Sequence, residues 1–151
     1  MIAFFELECS CTAPEEVVFL VGSGTALGSW DMYHGIILET SPERFPWWYT
    51  TGPVVIESMH ADFQFAISDR SLSVVRWEGL PYHRRLQCRH LRSKDGQQME
   101  MVFRASWEDP KSTVTIRPSK LPFLEARPVP GACERRAEVL GTHHGQQRAR
   151  A

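Results

Sequence analysis

Two of the five tryptophans in this 151-residue chain stand where an indole would be presented to a ligand. Trp30 follows Gly28-Ser29 in a loop, and Trp77 ends a short strand just before Gly79 and Pro81. An exposed indole is a flat apolar face with one N–H donor at its edge, so two of them from separate loops make a stacking platform. Glu78, next to Trp77, adds a carboxylate that can accept a hydrogen bond from a hydroxyl. Covalent catalysis has no comparable support. There is no H-E-x-x-H, no G-x-S-x-G, no P-loop and no cysteine in a recognisable nucleophile setting, so the chain reads as non-catalytic, with no catalytic residues and no cofactor.

The cysteines are Cys9, Cys11, Cys88 and Cys133. The C-x-C pair at a strand end points both side chains to one face, but no second Cys/His pair with ligand spacing accompanies it. Reduced thiols and no metal are the expectation. The absence of asparagine leaves no N-glycosylation acceptor.

Those side chains must be positioned by strands. Ile2 to Glu8 alternates, with Ala3, Phe5 and Leu7 on one face and Phe4, Glu6 and Glu8 on the other. Val17 to Val21 is a short apolar, β-branched run stopped at Gly22-Ser23-Gly24, which reads as a buried central strand. Further strands are expected at 35–38, 47–51, 54–56, 61–67, 74–77, 86–90, 99–105 and 113–117, separated by Gly, Pro, Ser and Asp turn signals. No segment carries a helical apolar repeat over ten residues. The pattern predicts an all-β fold, an immunoglobulin-like antiparallel β-sandwich of about seven to nine strands. Phe63 and Phe65 share a face and belong to the core, Trp107 packs, and His34, His60 and His90 are surface or capping residues.

The domain is expected over 1–118 and a basic, Pro-containing, disordered tail over 119–151. The first part holds 11 Lys and Arg against 15 Asp and Glu, net −4, and the second 6 against 3, net +3. Phe123 is the tail's one aromatic residue among the 16 of the chain, too little apolar area to offset its ordering entropy. At most one short helix fits there, over 134–140. An acidic body argues against nucleic acid, which needs a clustered positive face. Arg84-Arg85 with Arg89 and Arg92 is a local basic run that reads as a solvated strand face. No apolar run approaches the roughly 20 residues of a membrane span, and the N-terminus lacks a basic n-region, so a cytoplasmic location is expected.

Val21-Gly22-Ser23 at a strand end, followed by Leu27-Gly28-Ser29-Trp30-Asp31, resembles the starch-binding domain known as the family 20 carbohydrate-binding module. Trp48-Tyr49, Asp62-Phe63-Gln64-Phe65, Trp77-Glu78 and Pro81-Tyr82-His83-Arg84 continue the resemblance in order, over about residues 2 to 90. It implies a non-catalytic module that binds α-1,4-glucan (starch, amylopectin or glycogen), attached to or partnered with a glucan-active enzyme. The sugar rings present apolar C–H faces rimmed by hydroxyls, which suits exposed aromatic rings with a few polar groups around them.

By the resemblance, Trp30 and Trp77 are the platform of the first site. Gln64 stands where the family has a Lys that hydrogen-bonds sugar hydroxyls, and Tyr82 or His83 where it has an Asn. Trp48 matches a second-site position, although Ser41 to Phe45 replaces the tyrosine expected there. Trp47 and Trp48 are adjacent on a strand, so one faces inward and one outward. Glycosidic hydrolysis needs two carboxyls about 5 to 10 Å apart, and Glu78 has no identifiable partner for it. The competing reading is a regulatory or protein-interaction β-sandwich of the same fold that has lost glucan binding, or a fragment of a larger glucan-active or phosphodiesterase enzyme.

Overall fold

Ten strands arranged in two sheets run through residues 1–88 and 94–120, the residues that a computed structural model describes. In chain order they are β1 (Ile2–Glu8), β2 (Glu16–Gly22), β3 (Ile36–Ile37), β4 (Trp47–Tyr49) and β5 (Val54–Val55), then β6 (His60–Asp69), β7 (Arg76–Trp77), β8 (Arg84–Gln87), β9 (Met99–Ser106) and β10 (Ser112–Pro118). Sheet one has the order β10-β9-β1-β4, with β5 also on β1; sheet two has the order β3-β2-β6-β7, with β8 also on β6. Met1–Ser119 is one compact unit. The helix expected over 134–140, the extension of β8 to His90, Arg89, Arg92 and Cys133 lie outside the described residues.

The two sheets close over a core that alternation along the strands dictates. Phe5 of β1 and Phe103 of β9 meet Phe63 of β6 edge to face, with ring centroids 5.1 and 5.0 Å apart and planes at 76° and 88°. Edge-to-face contact sets the positive rim of one ring against the negative face of the next. Leu7, Val18, Leu20, Ile67 and Leu86 complete the layer between the sheets. All strand pairs are antiparallel except one: β1 runs parallel to β9, from Ile2 opposite Glu100 to Glu8 opposite Ser106. The antiparallel β-sandwich expected from the sequence is the architecture observed, with this one parallel pair among the described strands; a period of two shows which side chains share a face and not which way the strand runs.

β2 is apolar on both faces for a different reason on each. Val18 and Leu20 point into the main core, whereas Phe19 and Val21 join Ala66 of β6 in a second cluster. Met32, Ile37, Leu72 and Val75 pack over that second cluster. The outer face of sheet two is thus partly roofed by the segments after β2 and before β7. Those are the segments that carry Trp30 and Trp77.

Candidate functional site

Trp30 is delivered by a loop that turns tightly on itself. Residues Thr25–Trp30 form a broken 3-10 segment after β2, and Gly28, Ser29 and Trp30 take left-handed φ angles of 81°, 50° and 65°. For residues with a Cβ that conformation costs roughly 1–2 kcal/mol each. Gly28 also has no room for a side chain, since a Cβ there would lie 2.7 Å from the His34 carbonyl. Backbone hydrogen bonds from Ser29 to Gly24 and from Asp31 to Gly28 close the turn. Asp31 then caps the next turn, accepting from the Tyr33 N–H at 3.0 Å and lying 2.9 Å from His34 Nδ1. The Tyr33 amide, then His34, hold the Asp31 carboxyl below the usual carboxylate range. The result leaves the Trp30 side of the loop open, with that residue 39% exposed.

Trp77 is placed by register. It pairs with Ala66, whose side chain belongs to the outer cluster of sheet two, so the indole stands on that outer face, 42% exposed. Gln64 is two residues along β6 on the same face, opposite Val21, and its Nε2 donates to the Glu78 carbonyl at 3.5 Å. Arg84 pairs with inward-facing Phe63, so the alternation turns His83 outward. His83 lies on Trp30, with ring centroids 4.4 Å apart and planes tilted by 33°. Tyr82 is 81% exposed beside it. Tyr82 and His83 also border a crevice of about 250 Å³ with Leu80, Pro81 and Pro110.

Two of the candidate residues lie inside the protein instead. Glu78 is buried, and both its carboxylate oxygens are 2.9 Å from Arg84 nitrogens, Oε1 accepting also from the Phe65 amide at 3.2 Å. It has no surface on which to meet a sugar hydroxyl. This corrects its assignment as a ligand contact and the reading of Arg84 as part of a solvated basic face. Arg85, the next residue, does face solvent and is paired with Asp62 at 2.6 Å. The Arg85 guanidinium holds the Asp62 carboxyl below its ordinary range.

Trp48 is likewise corrected. It pairs with inward-facing Leu7, is buried, and donates from Nε1 to the Cys9 carbonyl at 3.0 Å, so it offers no second platform. Trp47 takes the outer face of sheet one, where the Arg104 guanidinium sits 4.9 Å from its ring while donating to Glu6 at 2.6 Å. Phe63 and Phe65 are core, Trp107 packs against it, and His34 is an exposed residue paired with the capping Asp31. Sequence reasoning missed the His83–Trp30 contact and the inward turn of Arg84. Alternation through β8 contained the signal for the second, since adjacent strand residues face opposite sides and one side of a sandwich sheet is the core.

Among the described residues no group of three or more His, Cys, Asp or Glu side chains could hold a metal ion. Cys9 and Cys11 are free thiols with their sulfurs 3.7 Å apart, and burial pushes the Cys9 thiol up to about 12. No described helix is long and apolar enough to cross a membrane.

Residues 2–97 match the starch binding domain family, the family 20 carbohydrate-binding modules, and the chain belongs to it. That family consists of non-catalytic domains that bind starch-type α-glucans. No individual curated protein matches the chain. Among solved structures, 72% of the chain superposes on 17% of a glycoside hydrolase family 15 glucoamylase from Hypocrea jecorina, at 19% identity and a TM-score of 0.58. The same share superposes on 15% of the gamma-CGTase from alkalophilic Bacillus clarkii, at 22% identity and a TM-score of 0.55. A Hormoconis resinae glucoamylase gives 14% identity over 17% of its length, with a TM-score of 0.54. These likenesses show the fold, and the chain spans less than a fifth of each of those proteins.

Proposed function

We propose that the domain holds α-1,4-glucan chains on the outer face of sheet two, stacking sugar rings on Trp30 and Trp77 while Gln64, Tyr82 and His83 orient hydroxyls. The observation that carries this reading is that two indoles are half-exposed on separate elements, Trp77 from strand β7 on the outer face of sheet two and Trp30 from the loop after β2 against outward-turned His83. Exposed stacking suits a neutral ligand with apolar ring faces, and the polar groups around it can donate and accept. Glycogen fits the same chemistry as starch and amylopectin. A single such platform is weak by itself, because few contacts offset the ordering of a flexible chain, so retention on a polymer comes from many binding events along it. In this reading the domain does no chemistry and tethers a glucan-active enzyme, fused or partnered, to its substrate in the cytoplasm.

Retention on insoluble amylose and on glycogen, with wild type, Trp30→Ala and Trp77→Ala, tests this. Each substitution is expected to weaken retention at least about tenfold, the loss of roughly 1.4 kcal/mol. A wild type that passes through both polymers would favour the regulatory reading of the same fold. Variants that bind like wild type would move the site elsewhere.

A further inference from the structure

We propose that Cys9 and Cys11 form a thiol–disulfide exchange site, at which a small soluble disulfide such as oxidised glutathione closes the two thiols into an intramolecular bridge. The site is independent of the sugar platform and uses none of its residues.

The chain leaves β1 at Glu8, so Cys9, Ser10 and Cys11 follow that strand rather than belong to it. Cys9 lies in the main core, 1% exposed, whereas Cys11 is exposed, and their sulfurs stand 3.7 Å apart. Even an extended strand, rising about 3.3 Å per residue, would hold their Cα atoms about 6.6 Å apart, within the reach of a disulfide at up to about 6.8 Å. Hydrogen bonds set the backbone on both sides of the pair. The Cys9 N–H donates to the Pro46 carbonyl at 2.8 Å, and the Cys9 carbonyl accepts from Trp48 Nε1 at 3.0 Å. The Cys11 carbonyl accepts from Arg76 Nη2 at 3.0 Å, and the same nitrogen is paired with Glu16. The bridge therefore differs from the thiol pair by the sulfurs alone, which close from 3.7 Å to a bonded distance of roughly 2.05 Å. Cys88, the third free thiol among the described residues, is buried, with its sulfur directed to the Leu86 carbonyl.

Exchange proceeds by attack of a thiolate on a disulfide sulfur, through a mixed disulfide. Cys11, the exposed thiol, meets the oxidant first. Its sulfur bonds to one glutathione sulfur, the glutathione S–S bond breaks, and the first glutathione leaves as a thiol carrying the Cys11 proton. Cys9 then attacks the Cys11 sulfur, the mixed disulfide breaks, and the second glutathione leaves with the Cys9 proton. Two protein thiols are oxidised, and one glutathione disulfide is reduced to two thiols. Burial pushes the Cys9 thiol up to about 12, which makes the second step the slower one, while the 3.7 Å contact makes it intramolecular. An excess of glutathione thiol reverses both steps. The bridge thus follows the redox poise around the protein, which is the use that disulfides have in reducing compartments.

Incubation of the full chain in glutathione mixtures of rising disulfide-to-thiol ratio, followed by acid quenching, alkylation and mass spectrometry, tests this. Wild type is expected to lose two of its four thiols to the bridge. A glutathione adduct on Cys11 should rise first and decay into a Cys9–Cys11 disulfide located by peptide mapping, and dithiothreitol should restore both thiols. Cys9→Ala is expected to stop at the glutathione adduct on Cys11. Cys11→Ser, altered at an exposed position, is expected to take up no glutathione at Cys9 under the same conditions. An adduct on Cys11 that persists in wild type, a Cys11 that does not react, a bridge to Cys133 or one between two chains would each overturn the inference. None of these readouts involves sugar, so their failure leaves the platform reading standing.

Discussion

Glu78 and Arg84 meet in a two-pronged ion pair inside the sandwich, with 2.9 Å at each contact and side chains 0% and 4% exposed. Arg84 Nη2 also donates to the Ser106 carbonyl at the end of β9, and Glu78 Oε1 accepts from the Phe65 amide of β6. The pair therefore fastens the segment just after Trp77 to both sheets. The Trp-Glu dipeptide points two ways, with the indole on the outer face of sheet two and the carboxylate holding that segment from inside.

Removing one half of that pair strands a buried charge. Glu78→Ala is expected to cost about 3–5 kcal/mol, a large part of a small domain's stability. The double substitution Glu78→Leu, Arg84→Met should regain most of it, because a buried ion pair is often worth no more than apolar packing. Urea denaturation of the three proteins checks this. A single-variant loss under about 1 kcal/mol would mean that the pair is not structural.

Trp48 and the platform tryptophans should separate in assay. Trp48→Phe deletes a buried donor to the Cys9 carbonyl and is expected to cost about 1–3 kcal/mol of stability. Its retention on amylose should equal that of wild type at a temperature where both are folded. Thermal melts alongside the binding assay would show whether the two effects divide this way.

Gly28→Ala puts a Cβ on a residue with φ 81° and 2.7 Å from the His34 carbonyl. A stability loss of about 1–2 kcal/mol is expected from the backbone alone. Glucan affinity should fall with it, since the turn that presents Trp30 must open to admit the methyl group. Unchanged affinity in a folded Gly28→Ala protein would show that the turn does not set the indole.

Burial raises the Cys9 thiol to about 12 from an ordinary value of 9.0, so the folded state holds this proton more tightly than the unfolded chain does. The unfolded state therefore loses it first as pH rises. The stability that this group contributes is whole below about pH 9 and declines between there and about pH 12. Cys9→Ala should flatten that alkaline decline in melts taken across the range. At pH 8, a thiolate-selective reagent should label exposed Cys11 well before Cys9.

Much of the scaffold was legible because one alternating face of β1, β6 and β9 is buried in a common core. Phe5, Phe63, Phe65 and Phe103 follow that rule without exception. The parallel pairing of β1 with β9 was not legible, since strand direction is chosen by the closing topology rather than by the residues of either strand. The exposure of Trp30 and Trp77 could be read from their glycine and proline neighbours, and both side chains are half-exposed. Glu78 and Trp48 were misread because a motif shows which residue types recur together, while the side that each faces depends on register. The register that buries Trp48 opposite Leu7 exists only once β4 has docked on β1.

The place of β1 within sheet one also sets an order of events in synthesis. As β1 leaves the ribosome it awaits β4 and β5 on one side and needs β9, nearly a hundred residues later, on the other. Contacts of such sequence separation close slowly, so the nascent chain must carry a half-clothed β1, with Phe5 short of its Phe103 neighbour, until residues 99–106 arrive. A chain stopped at residue 97, where the family match ends, would stay in that unfinished state, whereas one stopped at Ser119 would complete it.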